Sequence, residues 1–235
     1  MKWFHASIIS LFFSIIISSA AMEWPAWRGP DGTGIGSATN LPVEWSTEKN
    51  VAWKLKLPAW SGSSPIISGD SIYFISPSKE EVVEKPKEEP PEEGGGRRWR
   101  PPSPPGNILG PGGQTISLYS VSRKDGSINW STKLDSGNEI SFKQNSSSPS
   151  PVTDGKMIYT VTGNGITTAI DTSGKVHWEY AIQEHHWDFG IQAGYASSPV
   201  LFEDLLIIQV LHGMHTDDPS YLLALDKNTG KERVS

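Results

Sequence analysis

Histidine and carboxylate side chains gather in two short runs, Glu184-His185-His186-Trp187-Asp188 and His212-Gly213-Met214-His215-Thr216-Asp217-Asp218. Imidazole and carboxylate are common ligands of divalent metals. His185, His186, His212, His215 and Asp217 are therefore the residues here that could hold one, if the two runs meet on one rim of the fold. Both runs, however, fall between apolar segments, where polar loop residues are expected without any ligand. Adjacent His185 and His186 also point to opposite sides of an extended chain. Ordinary loops are the favoured reading, and no metal is expected. The chain contains no Gly-x-Ser-x-Gly elbow, no His-Glu-x-x-His pair and no phosphate-binding glycine loop. Gly163-Asn164-Gly165 reads as a hairpin turn. No catalytic or cofactor-binding residue is assigned.

The elements that would carry these runs are short and repeated. Three segments superimpose: Ser64-Pro65 to Tyr73, Ser150-Pro151 to Tyr159, and Ser198-Pro199 to Ile207. In each, a proline precedes a short apolar run, a polar turn with Gly or Asp, and a second apolar run, which is the pattern of a β-hairpin. Proline is tolerated at the first strand position because it need not donate to the ladder there. A further unit follows each hairpin: Leu118 to Trp130, Ala169 to Trp178, and Leu222 to Val234. Gly126 and Gly174 stand four residues before Trp130 and Trp178, and Gly230 stands four before Val234. Glycine suits a tight turn at positive φ, and the aromatic lies on the strand that the turn feeds. Trp53 ends a similar strand earlier in the chain, without the glycine.

Two landmarks give one period. Trp130 and Trp178 are 48 residues apart, and so are Pro151 and Pro199. A unit of four short antiparallel strands recurring at this spacing is a propeller blade. Helical solenoids show a 3.6-residue periodicity that is absent here. The bulk composition agrees: 23 Gly, 18 Pro and 10 Trp in 235 residues favour short strands and turns. A net charge of −6 argues against a nucleic-acid partner, which would require a basic face.

Residues 1–21 read as a cleaved signal peptide. Lys2 supplies the positive start, Ile8 to Ile17 a mostly apolar run, and Ser19-Ala20-Ala21 the small residues before cleavage. That run is too short to span a bilayer, so no membrane span is expected after cleavage, and the mature chain is placed in the periplasm or outside the cell. With no cysteine in the sequence, an exported chain has no disulfide and must be stabilised by packing.

These residues resemble the pyrroloquinoline-quinone (PQQ)-like propeller repeat. Its blades pair Ser-Pro hairpins with a Leu-x-Ala-Leu-Asp-x-x-Thr-Gly-Lys-x-x-Trp signature, and Leu222-Leu223-Ala224-Leu225-Asp226-Lys227-Asn228-Thr229-Gly230-Lys231 matches it as far as the lysine. The opening Trp24-Pro25-Ala26-Trp27-Arg28-Gly29-Pro30-Asp31-Gly32-Thr33-Gly34 is similar to the start of secreted members. The resemblance implies an all-β propeller of four-stranded antiparallel blades, seven or eight in the family. It also implies that Trp53, Trp130 and Trp178 dock against neighbouring blades, with Gly126, Gly174 and Gly230 as structural turn residues.

Two features stand apart from the repeat. Pro65 and Pro151 are 86 residues apart, 38 beyond one period. The excess falls at 77–113, a Pro/Glu/Gly/Arg-rich stretch expected to be a disordered loop between the second and third strands of its blade. Its Arg97-Arg98-Trp99-Arg100 cluster reads as solvated linker. Subtracting that insertion leaves residues 22–235 with roughly 3.7 blades. The expectation is an incomplete arc, the N-terminal part of a longer propeller.

The resemblance implies two functional classes. One is a non-catalytic exported scaffold that offers its rims to another protein or a cell-envelope polymer, BamB-like but without the lipidated cysteine. The alternative is a PQQ-dependent oxidoreductase holding the quinone with calcium on the propeller axis. The adjacent-cysteine ring often found in such enzymes is impossible here, and neither the calcium ligands nor a catalytic aspartate can be placed by motif. The scaffold is favoured, with no cofactor and no enzymatic activity expected.

Overall fold

The computed structural model describes residues 23–79, 112–141, 144–191, 194–212 and 217–233. Its strands are β1 (Ile66–Ser68), β2 (Ser71–Pro77), β3 (Thr115–Ser122), β4 (Ile128–Ser136), β5 (Ile140–Ser141), β6 (Gln144–Asn145), β7 (Val152–Thr153), β8 (Met157–Val161), β9 (Ile166–Asp171) and β10 (Val176–Ala181). A single helical turn, α1 (Ile182–His185), precedes β11 (Val200–Phe202), β12 (Leu205–Val210) and β13 (Tyr221–Asp226). The proposed leader and most of the 77–113 insertion lie outside the described residues. Pro77 closes β2, and the Gly113 N–H donates to Ser78 at 2.8 Å where the chain returns towards β3.

The strands form two four-stranded sheets, β1-β2-β3-β4 and β7-β8-β9-β10, and a three-stranded sheet, β11-β12-β13, with β5-β6 as a separate small pair. Every pairing is antiparallel between sequence neighbours. The sheets share one register at the start, with Ile66 opposite Tyr73, Val152 opposite Tyr159 and Val200 opposite Ile207. The protein is therefore all-β, an incomplete β-propeller of antiparallel blades. The residues ahead of Ser64 form no sheet of their own among the described residues, yet they contribute to the length-based figure of roughly 3.7 blades.

Strand pleating decides which side chains join which core, because successive residues face opposite sides of a sheet. Ile158 of β8 and Ile170 of β9 pack towards the first sheet, with Tyr73, Ile75, Leu118 and Leu134. Their neighbours Tyr159, Val161 and Ala169 face the third sheet, with Leu206, Ile208 and Leu225. The two cores are thus inter-blade layers, and the middle sheet is apolar on both faces. On the far side of the third sheet, Val200 and Leu222 are exposed at 58% and 71%. The equivalent Val152 and Leu118 are buried at 4% and 0%.

The tryptophans sit at matching places. β4 and β10 each carry a register irregularity beside the tryptophan, between Ser120 and Val121 on the partner of β4 and between Val176 and Trp178 in β10. Such a bulge adds local twist and re-aims a side chain. Trp130 tilts against Tyr73 with ring centres 5.9 Å apart, and Trp178 against Tyr159 at 6.1 Å. Each indole then reaches the glycine turn of the following sheet. Trp53 meets Gly126, Trp130 meets Gly174 and Trp178 meets Gly230. All three glycines have positive φ, 75°, 92° and 69°.

Candidate functional site

The two histidine runs come together, but as a packed aromatic cluster. His185 ends α1, stacks on Tyr180 with ring centres 4.5 Å apart, and turns Nδ1 to the Ala181 carbonyl at 2.9 Å. His186 turns away from it. Its Nε2 lies 3.3 Å from the Tyr180 hydroxyl and 3.5 Å from the Glu232 carboxylate. His212 is fully buried, and its Nδ1–H donates to the Asp188 carbonyl at 3.0 Å. That acceptor places a proton on Nδ1. Trp187, Phe189 and Tyr221 surround His212 with ring centres 5.8–6.4 Å away. The His212 Nε2 and the Tyr221 hydroxyl are buried without a hydrogen-bond partner among the described residues. Asp217 is exposed, and His215 lies outside the described residues. Among the described residues no group of three His, Cys, Asp or Glu side chains could hold a metal ion. Burial pushes the hydroxyls of Tyr180 and Tyr195 upward, so both remain protonated hydrogen-bonding groups at neutral pH.

A second place in the molecule has room for a ligand. A cavity of about 1050 Å³ opens beside the first strands of the second and third sheets, under the segment Pro25–Pro30. Sequence reasoning missed it, because the opening segment is rich in Gly and Pro and has no strand periodicity. The structure nevertheless pins that segment to the sheets. Trp24 forms an antiparallel bridge with Ile67 of β1, its N–H donating to Ile67 O at 3.0 Å and its carbonyl accepting from Ile67 N–H at 2.9 Å. One residue on, the Pro25 carbonyl accepts from Thr153 N–H of β7 at 2.9 Å. The segment therefore runs across the free edges of two successive inner strands. Behind it the chain turns at Gly29, where φ is 75° and the Trp24 ring leaves no room for a Cβ. The Arg28 guanidinium holds this turn by donating to Gly32 O at 2.9 Å and Thr33 O at 2.8 Å.

The walls of the cavity mix apolar Val152, Pro199, Val200 and Leu211 with the amides of Gln144 and Gln209 and several serines. Trp27, 55% exposed, stands at its mouth with the Arg28 guanidinium 5.7 Å from its ring centre. Hydroxyls and amides here can donate and accept hydrogen bonds but offer no proton-transfer group near neutral pH. The described lining residues include neither Asp nor Glu. A calcium ion takes 6–8 oxygen ligands, typically including carboxylates, so this donor set does not fit a calcium-bound quinone.

Comparison with known proteins places the chain among propellers. The family model described as outer membrane protein assembly factor BamB matches over residues 35–188 and 85–235. None of the curated proteins matches the sequence. Among solved structures, quinohemoprotein alcohol dehydrogenase from Comamonas testosteroni is similar over 92% of this chain and 27% of its own, with 13% identity and a TM-score of 0.53. BamB from Moraxella catarrhalis aligns over 77% of this chain and 41% of its own, with 13% identity and a TM-score of 0.42. The chain thus spans less than half the length of either protein. The first likeness shows the fold alone. Among the described residues, no helix is long and apolar enough to cross a membrane.

Proposed function

The chain belongs to the outer membrane protein assembly factor BamB family, and on that premise we propose that it is a non-catalytic, exported propeller scaffold that receives a protein or cell-envelope polymer at its inner cavity and rims. The observation that carries this reading is the cavity lining. It presents apolar side chains, two amides, hydroxyls, an exposed tryptophan and the Arg28 guanidinium beside it, with no carboxylate or imidazole among the described residues. Such a surface binds by shape, apolar burial and hydrogen bonds. Export rests on the leader-like residues 1–21, and the absence of cysteine leaves no site for the lipid of an N-terminal lipidated cysteine. The mature chain would act in the periplasm or outside the cell.

The test is to add PQQ and calcium to the full chain and follow reduction of an electron-accepting dye with a panel of primary alcohols. The scaffold reading expects no turnover above the protein-free rate. Quinone-dependent turnover would overturn it in favour of an oxidoreductase.

A further inference from the structure

We infer that the inner edge of β11 receives an extended peptide segment of a partner protein, bound along the line that Trp24 and Pro25 already make across β1 and β7. The inference rests on the scaffold reading and adds a place and a partner class to it.

The three inner strands are equivalent residue by residue. Ile67, Thr153 and Leu201 each stand two residues after the Ser-Pro proline, and they pair with Ile72, Ile158 and Leu206 in the same register. In an antiparallel ladder, alternate residues turn their N–H and C=O away from the partner strand. Ile67 and Thr153 turn theirs towards the opening segment, where the Trp24 and Pro25 carbonyls accept both N–H groups at 2.9 Å. The shared register points the Leu201 N–H in the corresponding direction. Among the described residues no backbone or side-chain group outside the ladder accepts it. Leu201 lines the cavity, half-buried, beside Pro199 and Val200.

An edge of this kind is a template for another strand, since backbone groups lead into space the chain itself does not fill. Main-chain hydrogen bonds would hold an added peptide, and alternate side chains would select it. The wall residues Val152, Val200 and Leu211 suit apolar side chains, and the Gln144 and Gln209 amides suit polar ones. A peptide is favoured over a glycan because the open groups are backbone groups in strand register, and because the chain's own segment already binds the two neighbouring edges in this way.

The test uses the isotopically labelled full chain and a synthetic peptide copying residues 23–28, Glu-Trp-Pro-Ala-Trp-Arg. In the free protein, the Leu201 amide should exchange with solvent at least tenfold faster than those of Ile67 and Thr153. Added peptide should shift the Leu201 amide saturably. Leu201→Pro removes the N–H on an edge strand that tolerates proline, and should weaken peptide binding tenfold or more. Its remaining amide spectrum, unchanged away from the cavity, shows that the variant folds. The inference is overturned if Leu201 is protected in the free protein, if the peptide moves no cavity resonance, or if Leu201→Pro binds as tightly. It also fails if an N-acetylglucosamine oligomer, and not the peptide, shifts Leu201, and that outcome leaves the broader scaffold reading standing. Quinone-dependent turnover removes the scaffold reading separately.

Discussion

The indole of Trp178 lies over Gly230 of the following sheet, and its Nε1–H donates to the Lys227 carbonyl at 2.9 Å. The same contact recurs one blade earlier, with Trp130 over Gly174 and its Nε1–H on Thr172 O at 3.0 Å. It recurs again ahead of the first complete sheet, with Trp53 over Gly126 and its Nε1–H on Arg123 O at 3.0 Å. One strand thus supplies a flat apolar plate with a polar tip, and the next sheet supplies a turn without a side chain and a carbonyl that accepts from the tip. The tip finds its partner, so the plate is covered without stranding a donor.

Trp130→Ala should destabilise the protein by about 3 kcal/mol, the low end for large aromatics because the ring is only partly covered. Trp130→Phe keeps much of the plate but loses the hydrogen bond, for about 1 kcal/mol beyond the lost contact area. Urea unfolding monitored by far-ultraviolet circular dichroism measures both. Equal losses for the two variants would mean that the carbonyl contact, and not the ring, carries the interaction.

Gly174→Ala acts on the other half of the contact. At φ 92° an alanine is strained, and its Cβ would sit 2.9 Å from Cδ2 of the Trp130 ring. Left-handed strain alone costs on the order of 1–3 kcal/mol, and the displaced indole adds to it. The expected result is a loss clearly larger than for Gly155→Ala, where φ is also positive but the nearest atom lies 3.9 Å away. Parity between the two variants would remove the indole from the explanation.

The inner strands are stitched by serine. Ser64 N–H donates to Ser150 Oγ at 2.9 Å, and Ser150 N–H donates to Ser198 Oγ at 3.0 Å. Ser198→Ala should leave the Ser150 amide without its acceptor, at a cost of about 1–3 kcal/mol. Faster hydrogen exchange at Ser150, with Ser64 unchanged, would identify the stitch. An unaltered Ser150 amide would contradict it.

Acid should weaken the turns that bear the glycines. Hydrogen bonds from the Ser127 hydroxyl and N–H hold the Asp125 carboxylate down to about 2. Asp171 is held well below the usual range by the Ser173 hydroxyl and then by His177, and Asp226 by the Arg233 guanidinium and then by Thr229. A depressed folded-state value gives stability that is fully present above the unfolded value, about 4, and is lost as pH falls through the folded one. The melting temperature should therefore fall between about pH 4 and 2 through these groups. Replacing all three aspartates with asparagine should flatten that slope; an unchanged slope would assign the acid sensitivity to other carboxylates.

The repeat was legible because its markers are local. Proline eight residues before Tyr73 and Tyr159 sets a hairpin, and glycine four before Trp130 and Trp178 sets a turn and strand, all within one supersecondary unit. The identity of each tryptophan's partner is not local. Trp130 passes over its own Gly126 and meets Gly174 in the next sheet, which only the stacking of sheets determines. The resemblance implied docking against a neighbouring blade, without naming the glycine. The opening segment was the least legible part, since Trp24 and Pro25 find their partners 43 and 128 positions further on, at Ile67 and Thr153. The burial of His212 likewise had no signal in its own run. Rings from two separate stretches of chain, Trp187–Phe189 and Tyr221, gather around it, and Tyr195 stacks on Phe189 beside them.

The most direct measurement is the proton spectrum of the protein labelled at glycine. An indole face over a glycine shields its α-protons, so Gly126, Gly174 and Gly230 should all resonate clearly upfield of the ordinary glycine range. Trp130→Leu should return Gly174 alone to that range. Ordinary shifts at the three glycines in the native protein, or a change at Gly126 instead of Gly174, would contradict blade-to-blade docking of tryptophan on glycine.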